Sequence, residues 1–344
     1  MTNSLEPVRS GCITKVLVRC KGLRLRFFVV KILLRYMSHD FFSSLIGHGK
    51  VKEFLINSLN KGKISHAYIF CGPENIGKTK TAECFASALL GGMPKKLPYE
   101  NYESENEFYN LKNNPDFILI EKEESHLKNI TINQIRELIV RIQSTSFLGG
   151  RKVVVIKDAD LMTLEAANAF LKSLEEPKGN VVIILLVSNI KNLPETIISR
   201  CQIIYFHPVS PLIIKEHLIK NGVDSKKADL IVFLAGSRPG LAIRFLKDEG
   251  LLRFYAEQID FFGELINLPL HKRLSKIREI ISGKEVEKMR ETLYTILSVW
   301  LKAAQGLMRE SLNANPVERI YLAMSQLKAN VNPRLVLENL MINL

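Results

Sequence analysis

The sequence predicts an α/β layer built on a five-stranded parallel sheet, followed by an all-helical C-terminal part. Three observations predict it. Short apolar runs alternate with helical patterns from residue 67 to residue 206. One of those runs, Val181 to Val187, is apolar throughout, as a parallel strand covered on both faces requires. After Pro208 the strand signals stop and only helix-periodic segments follow.

The five strands are expected at Ala67 to Phe70, Phe117 to Ile120, Val153 to Ile156, Val181 to Val187 and Gln202 to Phe206. Between them lie amphipathic helices. Ala82, Phe85, Ala86, Leu89 and Leu90 mark one apolar stripe. Ile132, Ile135, Leu138, Ile139 and Ile142 mark a second, opened by Thr131 with Gln134 three residues on, the pattern of a capping box. A third runs from Leu164 through Ala167, Phe170 and Leu171 to Leu174 and is stopped by Pro177. Residues 91–115 are polar and turn-rich, carry Tyr99, Tyr102 and Tyr109, and are expected to form a surface insertion. Pro211 to Gly222, Lys226 to Ala235 and Leu241 to Lys247 read as three short helices. Beyond residue 250 the chain reads as helix throughout, including a glycine-free stretch from Glu285 to Gln305 that holds Trp300, the only tryptophan.

A chain of 344 residues, 47% hydrophobic and 24% charged, is too long for one ordinary core and too apolar for an intrinsically disordered protein. Its net charge of +13 is unevenly spread. Residues 1–36 hold Arg9, Lys15, Arg19, Lys21, Arg24, Arg26, Lys31 and Arg35 against Glu6, so +7 of the excess lies there. This segment reads as a basic leader, either an arm for nucleic acid or membrane or a stretch upstream of a true start at Met37. Its apolar run, Phe27 to Leu34, is broken by Lys31 and too short to span a bilayer. The five cysteines are scattered and include no CxxC pair, so neither a disulfide framework nor a zinc site is implied.

Gly72, Pro73, Glu74, Asn75, Ile76, Gly77, Lys78 and Thr79 fit GxxxxGK[ST], between an expected strand and an expected helix. A phosphate needs a loop of backbone N–H groups unobstructed by side chains. Lys78 then reaches the terminal phosphates, Thr79 holds Mg²⁺, and the helix turns its positive end to the anion. Asn75 tolerates the left-handed backbone that glycine supplies in such loops. Hydrolysis needs in addition an acid at the end of a neighbouring strand. Here Val153 to Ile156 runs into Lys157, Asp158, Ala159 and Asp160, which puts a lysine in the metal-ordering position and Asp158 in the place of a catalytic glutamate. A lysine beside Mg²⁺ repels it, so binding is expected over efficient turnover. Alternatively, Asp158 and Asp160 are only a polar strand end and helix start. Arg200, in Ser199-Arg200-Cys201 before the last strand, can act in cis, serve a neighbour's γ-phosphate, or form a surface ion pair.

Together the runs Ser65 to Pro73 (SHAYIFCGP), Asn114 to Phe117 (NPDF), Glu165 to Pro177 (EAANAFLKSLEEP) and Ile197 to Cys201 (IISRC), with the P-loop, resemble the bacterial clamp-loader AAA+ family of DNA polymerase III. The resemblance runs from Phe41 to the C-terminus, where NPVERI from Asn315 and NPRLVLENL from Asn332 resemble the end of that family's collar domain. It implies four parts: the leader 1–36, an AAA+ α/β domain over 37–208, a helical lid over 209–248 and a helical oligomerisation collar over 249–344. Motor subunits of the gamma/tau type carry a four-cysteine zinc module before the NPD strand and an acidic Walker B pair. Residues 91–115 have no cysteine and Walker B is Lys157-Asp158, so the resemblance is to the delta-prime type.

By position, that resemblance makes Arg200 a trans-acting arginine finger. It makes Asp158 a degenerate Walker B acid and Ser188 with Asn189 the sensor-1 region. Arg238, in Gly236 to Ala242, sits one place off the sensor-2 arginine. It also implies ATP with Mg²⁺ held statically over turned over, no zinc and no polymerase site in the chain. The implied partners are delta and gamma/tau subunits, the sliding clamp and primer–template DNA; the implied setting is the bacterial cytoplasm at the nucleoid, with no membrane. The alternative is a self-sufficient gamma/tau-like motor with Asp158 as its working acid.

Overall fold

The computed structural model describes residues 41–91, 111, 113–122, 129–147, 150–177, 179–281, 286–307 and 315–344. The leader, Met37 and the three tyrosines of the expected insertion lie outside the described residues. Two compact units emerge, one ending at Ile213 and one beginning at Ile214.

In the first unit, α1 (Gly49–Lys61) precedes β1 (Ala67–Cys71), α2 (Lys78–Leu89), β2 (Phe117–Ile120), α3 (Ile132–Gln143), β3 (Lys152–Ile156), α4 (Leu164–Glu175), β4 (Val181–Val187), the single-turn α5 (Glu195–Ile198) and β5 (Gln202–Tyr205). All five strands are parallel, in the order β2-β3-β4-β1-β5. Each matches its expected position to within a residue at either end. β5 stops at Tyr205 because Phe206 leaves the strand, its N–H still donating to Cys71 O at 2.7 Å.

Alternation along the strands builds two cores. Tyr68, Phe70, Val153 and Val155 face α1 and α2, meeting Leu55, Ala82 and Phe85. Ile69, Val154, Ile156, Ile183 and Leu185 face α3 and α4, meeting Ile135, Leu138, Phe170 and Leu174. β4 is buried along all seven residues, which accounts for its lack of polar alternation. The Thr131–Gln134 capping box forms at the start of α3.

The second unit is all helix among the described residues. The unit boundary falls in the first turn of α6 (Pro211–Lys220), which is followed by α7 (Ser225–Ala235), α8 (Pro239–Lys247), α9 (Glu249–Ile266), α10 (Leu270–Ile281), α11 (Val286–Leu307), α12 (Asn315–Lys328) and α13 (Pro333–Asn343). Helix α8 begins at Pro239, two residues before its expected start, because proline is preset for the first helical turn. Asp248 caps α9 through Leu251 N–H, and Phe245 of α8 meets Tyr255 of α9 edge to face at 4.9 Å. The core of this unit gathers Phe262, Trp300, Ile320, Leu337 and Met341 from α9, α11, α12 and α13. No described helix is long and apolar enough to cross a membrane.

Lys302 of α11 donates its ammonium to Leu234 O at the C-terminal end of α7. Burial, with Arg238 adding repulsion, pulls its pKa from 10.5 down to about 8. Between those values the unfolded chain holds a proton that the folded chain has released. Stability therefore rises with pH across that window. Urea unfolding on either side of the window is expected to show this rise, and Lys302→Met to flatten it.

Candidate nucleotide site

The P-loop hangs between the carboxyl ends of β4, β1 and β5. Gly72 N–H donates to Val187 O at 3.1 Å, and a Cβ at Gly72 would lie 2.6 Å from the backbone oxygen of Phe206, so only glycine fits. Ile76, 1% exposed, pins the loop into the core. Asn75 adopts φ 58° and Gly77 φ 112°, the left-handed turns that swing the chain into α2. No side chain caps α2, which leaves its first-turn N–H groups for an anion. Thr79, second in α2, is half-buried, while Pro73 and Glu74 are exposed. This cradle and its donor set fit a nucleotide phosphate.

Lys78 is buried, and its ammonium donates to Gly72 O, to Val187 O at 2.9 Å and to Ser188 Oγ at 3.3 Å. Burial pulls its pKa below the ordinary lysine range, against the raising effect of Asp160 first and then Cys71, Asp158 and Glu74. The expected sensor-1 serine thus touches the P-loop lysine, linking β4 to the loop.

After the end of β3, Lys157 forms an ion pair with Glu121 at 2.5 Å, reaching toward the neighbouring strand β2. Its charge is thereby partly offset, while Lys157 keeps the strand-end place that the sequence gives it. Asp158 is left-handed (φ 49°) and opens the 3₁₀ turn Ala159–Leu161 without a side-chain cap bond. In the second unit Arg238 precedes α8, and its Nε donates to Ala235 O at 3.5 Å.

Three further residues belong to this geometry. His48 donates its Nε2 proton to Ile76 O at 2.8 Å and packs on Phe206 at 5.1 Å, so a ring from before α1 braces the P-loop. Gly47 (φ 70°) and His48 (φ 55°) both turn left-handed to bring it there. Burial first, then the charges of Lys52 and His207, push the His48 pKa down against the bond to Ile76. Asp160 binds the turn after β4, and Glu175 binds Arg200. The sequence carried a cue for Asp160, in the Lys157-Asp158-Ala159-Asp160 run, and for Glu175, inside the EAANAFLKSLEEP run, but none for His48.

Arg200 precedes β5, whereas the P-loop follows β1. The two strands run parallel with Tyr68 opposite Gln202 and Cys71 opposite Tyr205, so Arg200 and the P-loop lie at opposite ends of the sheet. At least four paired residues separate them, about 13 Å of extended chain. The guanidinium is held outside by Glu175 (Nε to Oε1, 2.9 Å), Thr196 O (2.8 Å) and Ser199 Oγ (3.1 Å).

Residues 47–210 match the family model for the DNA polymerase III delta subunit. The chain is 39% identical over 137 residues to the DNA polymerase III subunit delta' of Pseudomonas aeruginosa, covering 40% of this chain and 42% of that protein. It is 33% identical over 185 residues to the same-named subunit of Bacillus subtilis, covering 53% and 54%. Over these residues the α/β domain is similar to the clamp-loader AAA+ family. Its likeness is of the delta-prime type. The gamma/tau subunit of Mycoplasma genitalium is also similar, at 30% identity over 177 residues, covering 52% of this chain and 29% of that protein. The chain spans about half the length of the delta' relatives it matches. AAA+ domains as a class bind nucleotide with Mg²⁺, and the cradle around Gly72 and Lys78 is suited to that chemistry.

Proposed function

We propose that this chain is a delta-prime-like subunit of a bacterial DNA polymerase III clamp loader, helping ATP-dependent loading of the sliding clamp onto primed DNA. The observation that carries this is the placing of Arg200 at the end of the sheet away from the chain's own P-loop. An arginine there can act only on a phosphate brought by another subunit. In this reading Arg200 stabilises transition-state charge on a neighbour's ATP, and the partners are delta and gamma/tau subunits, the clamp and primer–template DNA. Contacts with DNA go to the phosphate backbone and weaken with salt. The helices beyond residue 249 serve as the collar that joins subunits, and the complex works in the cytoplasm at the nucleoid.

The chain's own nucleotide is held statically. Gly72 to Thr79 cradle the phosphates, Lys78 exchanges its carbonyl partners for phosphate oxygens, Thr79 holds Mg²⁺, and Ser188 lies beside the lysine. When bound, Mg²⁺ supplies charge neutralisation to the phosphates. Hydrolysis is weak because Lys157, occupied with Glu121, takes the metal-ordering place, and Asp158 is one methylene short of glutamate. The intact P-loop and the Asp158 carboxylate are what a gamma/tau-like motor would also carry, and turnover separates the two readings. The purified chain alone is expected to bind ATP, to lose that binding in Lys78→Ala, and to show negligible DNA-stimulated hydrolysis. Robust hydrolysis abolished by Lys78→Ala would instead establish the motor.

A further inference from the structure

Asp160 lies in the 3₁₀ turn after β3, two residues past Asp158. Its Oδ2 accepts the N–H of Ser188 at 3.3 Å and of Asn189 at 3.1 Å. Two amides of the turn beyond β4 therefore fix this carboxylate, next to the serine whose hydroxyl meets Lys78. The other oxygen, Oδ1, is buried and has no hydrogen-bond partner among the described residues. A buried carboxylate oxygen without a donor is costly in a low-dielectric setting, so the arrangement is stable only with a cation close by. Lys78 lies nearby, bonded to the Ser188 hydroxyl, and of the charges around Lys78, Asp160 acts on it most strongly. Lys78 is also the group a bound phosphate recruits. A divalent cation bound with the nucleotide would supply the charge that the orphaned Oδ1 lacks.

We propose that Asp160 supplies the metal-facing carboxylate of this P-loop, in place of the strand-end acid that Lys157 displaces. The inference rests on the nucleotide reading above and deepens it by naming the residue through which Mg²⁺ acts. Mg²⁺ takes one or two carboxylates beside the substrate phosphates and keeps several waters. Asp160 therefore serves either directly or through one of those waters. Asp158, the acid suggested by sequence position, lacks comparable anchoring: its side chain makes no cap bond to the turn it opens.

The test is calorimetric binding of the non-hydrolysable analogue adenylyl imidodiphosphate to the full chain, with Mg²⁺ and with EDTA. Asp160→Asn keeps an oxygen for the Ser188 and Asn189 amides and removes only the charge. Wild type is expected to bind more tightly with Mg²⁺. Asp160→Asn should cut that advantage by about 10- to 100-fold and leave the EDTA affinity unchanged or higher. A merely structural role would weaken both affinities alike. Lys157→Asp in the Asp160→Asn background should restore part of the Mg²⁺ advantage. If Asp160→Asn keeps the wild-type advantage, or Asp158→Asn alone abolishes it, the proposal is overturned while nucleotide binding stands. Absence of any nucleotide binding by wild type would overturn both. Should Asp160→Asn fail to fold, wild-type protein labelled at aspartate carboxyl carbons gives the answer. Mn²⁺ with the analogue must broaden the Asp160 resonance, and an unbroadened resonance refutes the assignment.

Discussion

On the proposed reading, replacing Arg200 by alanine is expected to abolish ATP hydrolysis at one interface of a reconstituted clamp loader while this chain's own nucleotide affinity stays at its wild-type value. The split follows from sheet topology. β5 lies beside β1 and runs the same way, so a residue before β5 cannot approach a loop after β1. An arginine finger contributes about 10³- to 10⁵-fold to turnover, so the site it serves falls silent when it is removed. Lysine does not rescue the loss, because a point charge cannot reproduce the planar fork on a phosphoryl group. In that reading the guanidinium must also leave its resting place against Glu175 at little cost. Its partner Glu175 is about half exposed, and pairs of this kind are worth under about 1 kcal/mol, little beside a γ-phosphate. Glu175→Gln should therefore leave turnover largely intact. Steady-state hydrolysis by the complex, with nucleotide binding to the isolated chain measured in parallel, checks both halves. Unchanged turnover in Arg200→Ala sinks the assignment, and weakened nucleotide binding by the isolated chain would mean that Arg200 acts in cis.

The readable parts of this molecule are those set by local chemistry. Val181 to Val187 announces a buried strand because no polar residue interrupts it, Thr131 with Gln134 announces a cap, and Gly72 to Thr79 a phosphate loop. The rest depends on which distant segments become neighbours. Lys157 meets Glu121 because β3 pairs with β2 so that Ile156 lies opposite Ile120. Asp160 meets Ser188 because the turn after β3 lies beside the end of β4, 28 residues on. Read along the chain, the Lys157-Asp158-Ala159-Asp160 run put Asp158 in the place of a catalytic glutamate, as a degenerate acid, or made both aspartates a polar strand end and helix start. The pairing of strands instead gives Asp160 the firmer anchorage. Sequence alone does not place Arg200 relative to the P-loop; the order β4-β1-β5 puts it at the far end of the sheet. His48 was silent in sequence because its role arises from two left-handed residues that fold a ring over Ile76. Chemistry was legible where the backbone alone arranges it, and hidden where a side chain must cross between elements.

Trp300→Ala is expected to cost the helical unit about 3–5 kcal/mol of stability. The indole is fully buried, stacked near Phe261 at 6.0 Å and tilted against Phe262 at 5.5 Å, where α11 meets α9. Truncation opens a cavity among residues of α9, α11, α12 and α13, and close-packed neighbours relax into such a cavity only in part. Trp300→Phe should cost much less. The indole Nε1 is buried with no hydrogen-bond partner among the described residues, and an unsatisfied donor of this kind costs about 1–3 kcal/mol. Phenylalanine removes that penalty while keeping most of the ring contacts, so the two substitutions separate packing from the stranded N–H. Because Trp300 is the only tryptophan, unfolding must be followed by circular dichroism in urea and not by intrinsic fluorescence. If these helices are the collar, Trp300→Ala also fails to enter the complex while its α/β unit still binds nucleotide. Wild-type stability in Trp300→Ala would show that this aromatic cluster does not hold the unit together, and equal losses in both variants would show that the ring edge, not the N–H, dominates.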